Sequence, residues 1–212
     1  MLDLHILNHA AATRPEWWAA CLASAQAAEA AGLVTLHIMD GTSENIGANR
    51  AAAFRLGSQP FVAWLDNDDI LLPDALPVLL QALAERPEVC GVYSDLMQID
   101  AGGKVLFTMR RSRWTAEGQL RQPDYPHHLA VYRRAAVLPH LDLIATFKTY
   151  SDFVLAGLAT QFGPWWQVPV VAYQRREQDY YRNHVRRIDP ETTRRARMIV
   201  EPILINRIQQ GR

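Results

Sequence analysis

Short apolar runs alternate with longer segments of helical character through the first half of the chain. The runs are rich in β-branched and aromatic residues, which predicts buried strands at residues 2–7, 34–39, 61–65 and 89–94. The segments between them end at glycine or before proline, which predicts helices up to residue 31, at 45–56 and at 74–85. This alternation predicts right-handed β-α-β units, and therefore an α/β fold with a mainly parallel central sheet flanked by helices.

The second half is less regular and becomes basic toward its end. Its pattern predicts a helix at residues 151–160 and strands at 104–109 and 129–132. Eight arginines lie between Arg175 and Arg197, against four acidic residues. Because no linker divides the chain, we expect one domain at residues 1–184, followed by a basic, helical extension at residues 185–212.

The strongest chemical signal lies where the predicted strand at residues 61–65 ends. Three carboxylates follow it within four positions, those of Asp66, Asp68 and Asp69. Carboxylates this close together repel one another unless a cation or a hydrogen-bond donor lies between them. Divalent cations that take few protein oxygens, with phosphate supplying the other ligands, fit such a position at the edge of an α/β sheet. The residues alone indicate either a metal–phosphate site or a solvated turn that caps the next helix.

Polar residues also fall at the ends of the other predicted strands. Asn8, Asp40 and Asp95 each follow an apolar run directly. Open α/β sheets bind ligands beyond the carboxyl ends of their strands. We therefore expect these residues to share one edge of the sheet with the acidic turn.

The segment WLDNDDILLPDAL resembles the DxD segment of the family 2 glycosyltransferases, and a looser similarity extends over residues 2–184. The resemblance implies a single GT-A (Rossmann-like) domain. It also implies an enzyme that uses a nucleotide-diphospho-sugar with Mn²⁺ or Mg²⁺ and inverts the anomeric carbon. In the family pattern Asp68 is the direct metal ligand, Asp66 contacts the ribose or a metal-bound water, and Asp69 caps the segment that follows. Asp66 and Asp68 are therefore the predicted metal residues.

The same resemblance assigns residues to the nucleotide. Asp40 takes the place of the acid that hydrogen-bonds the base, and Asn8 lies at the neighbouring strand end. Asn49 and Arg50 belong to a segment that resembles the helix lining the nucleotide pocket, where the Arg50 guanidinium would neutralise the diphosphate. The alternatives are an Asp40 that only forms a turn and an Arg50 that lies on the surface.

Asp152 is the predicted catalytic base. The resembling enzymes take this base from an acidic pair that opens a late helix, and Ser151 replaces the first acid here. The alternative is that Asp152 only favours the helix N-terminus electrostatically. His127 and His128 precede a predicted strand near the family's acceptor position, and His184 is loosely similar to a further metal ligand of some relatives. None of the three histidines is assigned to the site.

Composition excludes several other classes of protein. Of the 212 residues, 49% are hydrophobic and 21% are charged, which is typical of a soluble globular chain. The 22 basic and 22 acidic residues balance, so no overall field attracts nucleic acid or membrane. Cys21 and Cys90 lack metal-ligand spacing and are expected to be buried thiols. With neither a leader segment nor a run long enough to span a bilayer, we expect a cytoplasmic protein.

The predicted function is transfer of a sugar from the nucleotide donor to an acceptor hydroxyl. One alternative is a catalytically inactive GT-A module that binds nucleotide. Another is a glycosyltransferase that acts on hydroxylated bases of DNA, which the basic end of the chain would hold. A glycan or small-molecule acceptor is favoured over DNA, since arginines on a terminal helix usually form a solvated face. Pocket shape and loops, rather than the DxD segment, determine the sugar, the nucleotide base and the acceptor.

Overall fold

The first half of the chain alternates strands and helices as its pattern predicts. The structure is a computed structural model that describes residues 1–8, 14–41, 45–122, 126–177 and 189–211. The elements up to residue 85 are β1 (Leu2–Asn8), α1 (Pro15–Ala30), β2 (Val34–Asp40), α2 (Ile46–Phe54), β3 (Phe61–Leu65), β4 (Ile70–Leu71), a 3₁₀ turn (Pro73–Ala75) and α3 (Leu76–Glu85).

The second half contains more elements than its pattern predicts. They are β5 (Gly91–Ile99), β6 (Val105–Met109), α4 (Ala116–Arg121), β7 (Ala130–Arg133), α5 (Arg134–Val137), a 3₁₀ turn (Leu138–His140), α6 (Leu141–Ile144), α7 (Ser151–Ala159), β8 (Trp165–Arg176) and α8 (Pro190–Gln209). Among the described residues, no helix has both the length and the apolar character needed to cross a bilayer.

The strands form one sheet in the order β2-β1-β3-β7-β5-β8-β4, with β6 pairing onto β5. β1 is parallel to β2 and β3, and β5 is parallel to β8. β7 enters antiparallel between β3 and β5, and β4 and β6 are antiparallel to their partners. The predicted α/β fold is confirmed, but the sheet is mixed rather than mainly parallel, because the less regular second half supplies the antiparallel strands.

The sheet lies between two apolar layers. Leu2, Leu4 and Ile6 of β1 are buried in the layer that contains α1 and α3. Leu7 is buried in the other layer, which contains α2, α5, α6, α7 and α8. Because successive side chains of a strand point to opposite faces, this division is the one expected for a sheet covered on both sides.

Strand β5 continues further than expected. Asp95 lies in its interior, is 3% exposed, and accepts hydrogen bonds from the backbone N–H of Arg111 (2.8 Å) and from Nε2 of Gln167 (3.1 Å). The prediction that Asp95 ends a strand is therefore wrong. The strand does not stop at this carboxylate, because donors on the neighbouring segments satisfy it and pairing with β6 and β8 extends to Ile99.

Strand β8 was not predicted, because Pro169 interrupts its pattern. Opposite β5, Ser94 pairs with Val168 and Asp95 pairs with Val171. The two intervening residues of β8 form a bulge that accommodates a proline with no N–H to donate. Beyond the bulge, β8 runs to Arg176 beside the acidic turn that follows β3.

The first turn of α2 is fixed against the segment after α6. Asn45 caps the helix, since its Oδ1 accepts from the N–H of Ala48 (2.9 Å). The N–H of Gly47 donates to the carbonyl of Phe147 (3.1 Å), and a Cβ at Gly47 would lie 2.2 Å from that oxygen. Only glycine fits so close an approach, which determines how α2 presents Asn49 and Arg50.

The C-terminal helix α8 packs on α7. A Cβ added to Gly157 of α7 would lie 2.4 Å from Cγ1 of Val200, which is fully buried. The division predicted at residue 184 stays a prediction, since that residue lies outside the described part of the chain.

Replacing Gly157 with alanine should destabilise the protein by about 1–3 kcal/mol, because the added methyl group overpacks the α7–α8 contact. The double variant with Val200→Ala should lose less unfolding free energy than the sum of the losses in the two single variants, because the smaller side chain makes room for the added methyl group. Urea denaturation of the four proteins measures this coupling. Gly102→Ala, at an exposed turn, is the control and should change stability by less than about 0.5 kcal/mol; additive single effects would contradict the close contact.

Candidate active site

Asp69 fastens the acidic turn to β8. Its Oδ2 accepts from the Tyr173 hydroxyl (2.7 Å) and its Oδ1 from the backbone N–H of Arg176 (2.7 Å). The side chain is 3% exposed. The predicted cap is wrong, because the 3₁₀ turn that follows begins after Leu72 without any side-chain cap. Both oxygens of Asp69 are instead used to hold the turn in place.

Arg176 completes this fastening from the other side. Its Nε donates to the carbonyl of Asp68 (2.9 Å), and one terminal nitrogen donates to the carbonyls of Asp100 (3.2 Å) and Ala101 (3.1 Å). Its guanidinium lies over the Trp17 ring, 5.3 Å from the centroid. The buried arginine therefore binds the backbone of the turn and leaves the carboxylate of Asp68 to other partners.

Asp66 is held ionised by its neighbours. Trp64 donates its indole N–H to Oδ1 (2.8 Å), and Nε2 of His128 lies 3.1 Å from Oδ2. Burial acts to raise the pKa of Asp66, but the charge and hydrogen bond of His128, followed by Arg50 and Trp64, hold it well below its usual range. The His128 ring stacks on Tyr173 with a centroid separation of 4.9 Å and an interplanar angle of 10°.

The pKa values of Asp68 and Asp69 are raised, in the opposite direction to that of Asp66. Burial, followed by the charge of Asp66, raises the pKa of Asp68 to about 6. Burial and the charges of Asp68 and Asp66 raise the pKa of Asp69 well above its usual range. A cation at this turn would relieve the repulsion that raises both values.

The donor set at this turn fits one kind of metal site. Within the described ranges, no group of three His, Cys, Asp or Glu side chains converges to hold a metal ion. Mg²⁺ is usually bound by one or two carboxylates together with substrate phosphates rather than by an all-protein cage. The carboxylates of Asp66 and Asp68 fit that arrangement, with diphosphate oxygens and water as the remaining ligands.

An open cleft brings together two of the predicted site residues, Arg50 and Asp152. Arg50 is 7% exposed there, donates to Oγ of Ser151 (3.0 Å), and lies over the Trp64 ring at 5.1 Å. Its Nε is buried and has no hydrogen-bond partner among the described residues. The surface alternative for Arg50 is therefore wrong. The cleft is lined by Arg50, Phe54, Trp64, Pro126, His127, His128, Ala130, Tyr132 and Asp152.

Asp152 lies in this cleft at the start of α7. Its Oδ1 accepts from the N–H of Phe153 (2.9 Å), and Nε2 of His127 lies 3.8 Å from its Oδ2. Its side chain is 44% exposed. His127 and His128 both line the cleft, whereas the sequence left them unassigned; His184 lies outside the described residues.

Asn8 and Asp40 meet at the carboxyl ends of β1 and β2. Nδ2 of Asn8 donates to Oδ1 of Asp40 (2.9 Å), and the N–H of Gly41 donates to the carbonyl of Asn8 (3.1 Å). Asn49 lies on α2 with its Nδ2 buried and without a partner among the described residues. These contacts place Asn8 and Asp40 side by side, as their shared strand-end position predicts.

The sequence did not reveal the aromatic residues that shape the site. Trp64 and Tyr173 hold Asp66 and Asp69, and Tyr132 and Phe54 line the cleft. Trp64 was recognisable only as part of an apolar strand. Its position two residues before Asp66 was the available signal, since an indole N–H there can reach the carboxylate.

A sequence model of the family described as "Glycosyl transferase family 2" matches residues 22–138, which is more than half of the chain. The chain belongs to this family. The resemblance drawn from the DxD segment is thereby confirmed, and with it the assignment of the chain to the glycosyltransferases.

Solved structures show the same fold. The structure of S. aureus TarS 1–349 in complex with UDP superposes with a TM-score of 0.65 at 12% sequence identity, covering 97% of this chain and 65% of that one. The complex of TarS 1–349 with UDP-GlcNAc gives 0.56 at 12% identity, covering 84% of this chain and 59% of the other. The predicted GT-A fold is confirmed. The chain spans less than two thirds of each of these structures.

A curated relative adds a local similarity. The uncharacterized protein y4gI of Sinorhizobium fredii (strain NBRC 101917 / NGR234) is 30% identical over 86 residues, which is 41% of this chain and 9% of that protein. The chain thus matches a small part of a much longer protein.

The raised pKa of Asp68 predicts a pH-dependent stability in the presence of a chelator. Between its ordinary value of 3.8 and about 6, the folded protein holds a proton that the unfolded chain has released. The free energy of unfolding should therefore fall as the pH rises through this window. Asp68→Asn should reduce the fall and be more stable than the wild type at pH 7 by about 1–3 kcal/mol.

Urea denaturation in EDTA from pH 4 to pH 7 measures this difference. Part of the fall should persist in the variant, because the pKa of Asp69 is also raised. Asp40→Asn, at an exposed strand end, serves as the control. Identical profiles for the wild type and Asp68→Asn would show that Asp68 is not strained by its neighbours.

Proposed function

We propose that this chain is a metal-assisted glycosyltransferase that moves a sugar from a nucleotide-diphospho-sugar to an acceptor hydroxyl with inversion. The observation that supports this most is the cleft itself. A buried guanidinium from Arg50 and a carboxylate from Asp152 line it, and Trp64 and His128, which hold Asp66, line it as well. A cationic group for a diphosphate thus lies in the same cleft as a base for a hydroxyl.

The nucleotide-sugar is held by residues at the carboxyl ends of β1 and β2 and by residues of α2. Asn8 and Asp40 offer an amide and a carboxylate to the nucleotide base, and Asn49 offers a buried amide. Arg50 binds the diphosphate: its partners Ser151 and Trp64 are neutral, and no carboxylate in the described part of the chain forms a direct ion pair with it. UDP and UDP-GlcNAc bound to S. aureus TarS make uridine nucleotides the first candidates.

Asp66 and Asp68 would hold Mn²⁺ or Mg²⁺ together with oxygens of the diphosphate. When bound, the ion supplies several kcal/mol of stabilisation for the charge that develops on the leaving diphosphate. The charge of Asp66 is one cause of the raised pKa of Asp68, and this repulsion makes the turn receptive to a cation. Asp69 is less suited to be a ligand than Asp66, because it is 3% exposed and both its oxygens accept hydrogen bonds from β8, whereas the Asp66 side chain is 24% exposed.

Asp152 acts as the base. Its Oδ1 is occupied by the N–H of Phe153, which leaves Oδ2 to receive the proton of the acceptor hydroxyl. The hydroxyl oxygen forms a bond to the anomeric carbon while the bond from that carbon to the diphosphate oxygen breaks. Attack from the face opposite the leaving group inverts the configuration.

A DNA acceptor has less support than a glycan or a small molecule. The arginines of α8 are engaged with the protein: Arg194 pairs with Glu191 (2.7 Å) and Arg197 with Glu201 (2.8 Å). Arg195 donates to Thr146 and Arg207 to the carbonyl of Thr160. Two of these four arginines, Arg194 and Arg197, pair with carboxylates of the same helix, which reduces the net charge that the helix offers to phosphates.

Binding of uridine diphosphate should depend on a divalent cation, and Asp68→Ala should remove most of that dependence. Calorimetric titrations with Mn²⁺ and with EDTA measure it, with Asp40→Ala as the matched comparison. Asp40→Ala should weaken binding by about 1–3 kcal/mol, the scale of a lost hydrogen bond to a charged group, while the effect of Mn²⁺ is retained. Equal affinity of the wild type in Mn²⁺ and in EDTA would overturn the metal assignment.

Asp152→Asn should slow transfer or donor hydrolysis by roughly 10²–10⁴-fold, the usual contribution of a positioned base. The substitution is nearly isosteric, and asparagine can still accept the Phe153 N–H, so folding and uridine diphosphate binding should be unchanged. Steady-state kinetics with titration calorimetry separates these effects. Normal turnover would place the base elsewhere, and loss of donor binding would place Asp152 in the nucleotide pocket.

A further inference from the structure

The two carboxylate oxygens of Asp152 have different surroundings. Oδ1 accepts the N–H of Phe153 at 2.9 Å, which fixes this oxygen at the first turn of α7. Oδ2 faces Nε2 of His127 at 3.8 Å, within ion-pair reach but too long for a hydrogen bond. In the absence of substrate, hydrogen bonds of catalytic groups are often long and shorten in the complex. His127 is therefore a second group directed at the reactive oxygen.

The packing of His127 determines which of its ring nitrogens carries the proton. Its side chain is 15% exposed, and its ring meets the His128 ring edge-on at 3.9 Å between centroids and an interplanar angle of 88°. Nδ1 is buried and has no hydrogen-bond partner among the described residues. A buried N–H without an acceptor is less favourable than a buried lone pair without a donor, so the proton belongs on Nε2, facing Asp152.

We propose that His127 is a positioning residue for the base: its Nε2–H donates to Oδ2 of Asp152 and holds that oxygen toward the acceptor hydroxyl. This inference rests on the proposed function of Asp152. It adds a residue to the site and explains why a partly buried histidine lines the cleft opposite the start of α7. The hydrogen bond leaves the second lone pair of Oδ2 free to receive the acceptor's proton.

The electrostatics of the cleft agree with a neutral ring in this role. Burial, followed by the charges of His128 and Arg175, lowers the pKa of His127 well below its usual range. A neutral imidazole with its proton on Nε2 donates one hydrogen bond to the carboxylate without neutralising it, whereas an imidazolium would form an ion pair and lower its basicity.

The tautomer of His127 is the first test, because it does not depend on turnover. Nitrogen-15 NMR of the full chain, with His127 assigned by comparison with His127→Gln, should show the proton on Nε2. Asp152→Ala should shift the resonance of the protonated Nε2, because the acceptor that faces it is removed, while the proton stays on Nε2. A proton on Nδ1 in the wild type, or a ring that is unchanged in Asp152→Ala, would overturn the proposal.

The second test is hydrolysis of UDP-GlcNAc in Mn²⁺, with water in place of the acceptor. His127→Ala should lower kcat by about 10- to 100-fold, as expected for a lost hydrogen bond to a charged group. His127→Gln keeps an amide donor and should recover most of kcat, and imidazole added to His127→Ala should partly restore it. His140→Leu, outside the cleft, is the control and should behave as the wild type. Equal loss in the alanine and glutamine variants, without rescue by imidazole, would overturn the proposal.

The two tests separate this inference from the proposed function. If the wild type turns over but carries its His127 proton on Nδ1, the inference fails alone. If the wild type hydrolyses no nucleotide sugar, the proposed function fails and the role of His127 as a positioning residue fails with it. In that case the tautomer measurement still determines whether the contact between His127 and Asp152 exists.

Discussion

The buried carboxylate of Asp69 is the constraint on which the site depends. Three acids at one strand end would repel one another, and a solvated turn would separate them. Here Asp69 accepts from Tyr173 and from the backbone of Arg176, while Arg176 donates to the carbonyl of Asp68. Asp69 therefore holds the turn in place and is less suited to serve as a ligand. The conformation of the turn, which also carries Asp66 and Asp68, is set by contacts with β8, a strand distant in sequence.

The same tyrosine links this fastening to the cleft. Tyr173 donates to Asp69 and stacks on His128, whose Nε2 lies beside Asp66, and the adjacent His127 lies beside Asp152. The acid proposed for the donor and the base proposed for the acceptor are therefore positioned by neighbouring residues of one segment. A change in the packing of Tyr173 is expected to affect both ends of the reaction.

Local patterns predicted the parts of the site that lie on regular β-α-β units. Asn8, Asp40 and Asp66 are at strand ends because each follows an apolar run that pairs in parallel with its neighbour. The rest depends on contacts between distant segments. The residues next to Asp95 in sequence do not indicate that the strand continues or that Arg111 and Gln167 donate hydrogen bonds to its carboxylate. Likewise, the residues next to Asp69 do not indicate that the Tyr173 hydroxyl donates to it. β8 could not be predicted across Pro169, because the bulge that accommodates this proline is defined by the pairing with β5, which the local sequence does not show.

The assignment of the acidic turn to a metal–diphosphate site is tested most directly by water proton relaxation in solutions of Mn²⁺. A paramagnetic ion held on a slowly tumbling protein relaxes water protons more strongly than the same ion bound to free nucleotide. If Asp66 and Asp68 hold Mn²⁺ against the diphosphate, the wild type with uridine diphosphate should give a large enhancement that is lost in Asp68→Ala. Relaxation no greater than that of Mn²⁺ with nucleotide alone, or an enhancement retained in Asp68→Ala, would contradict it.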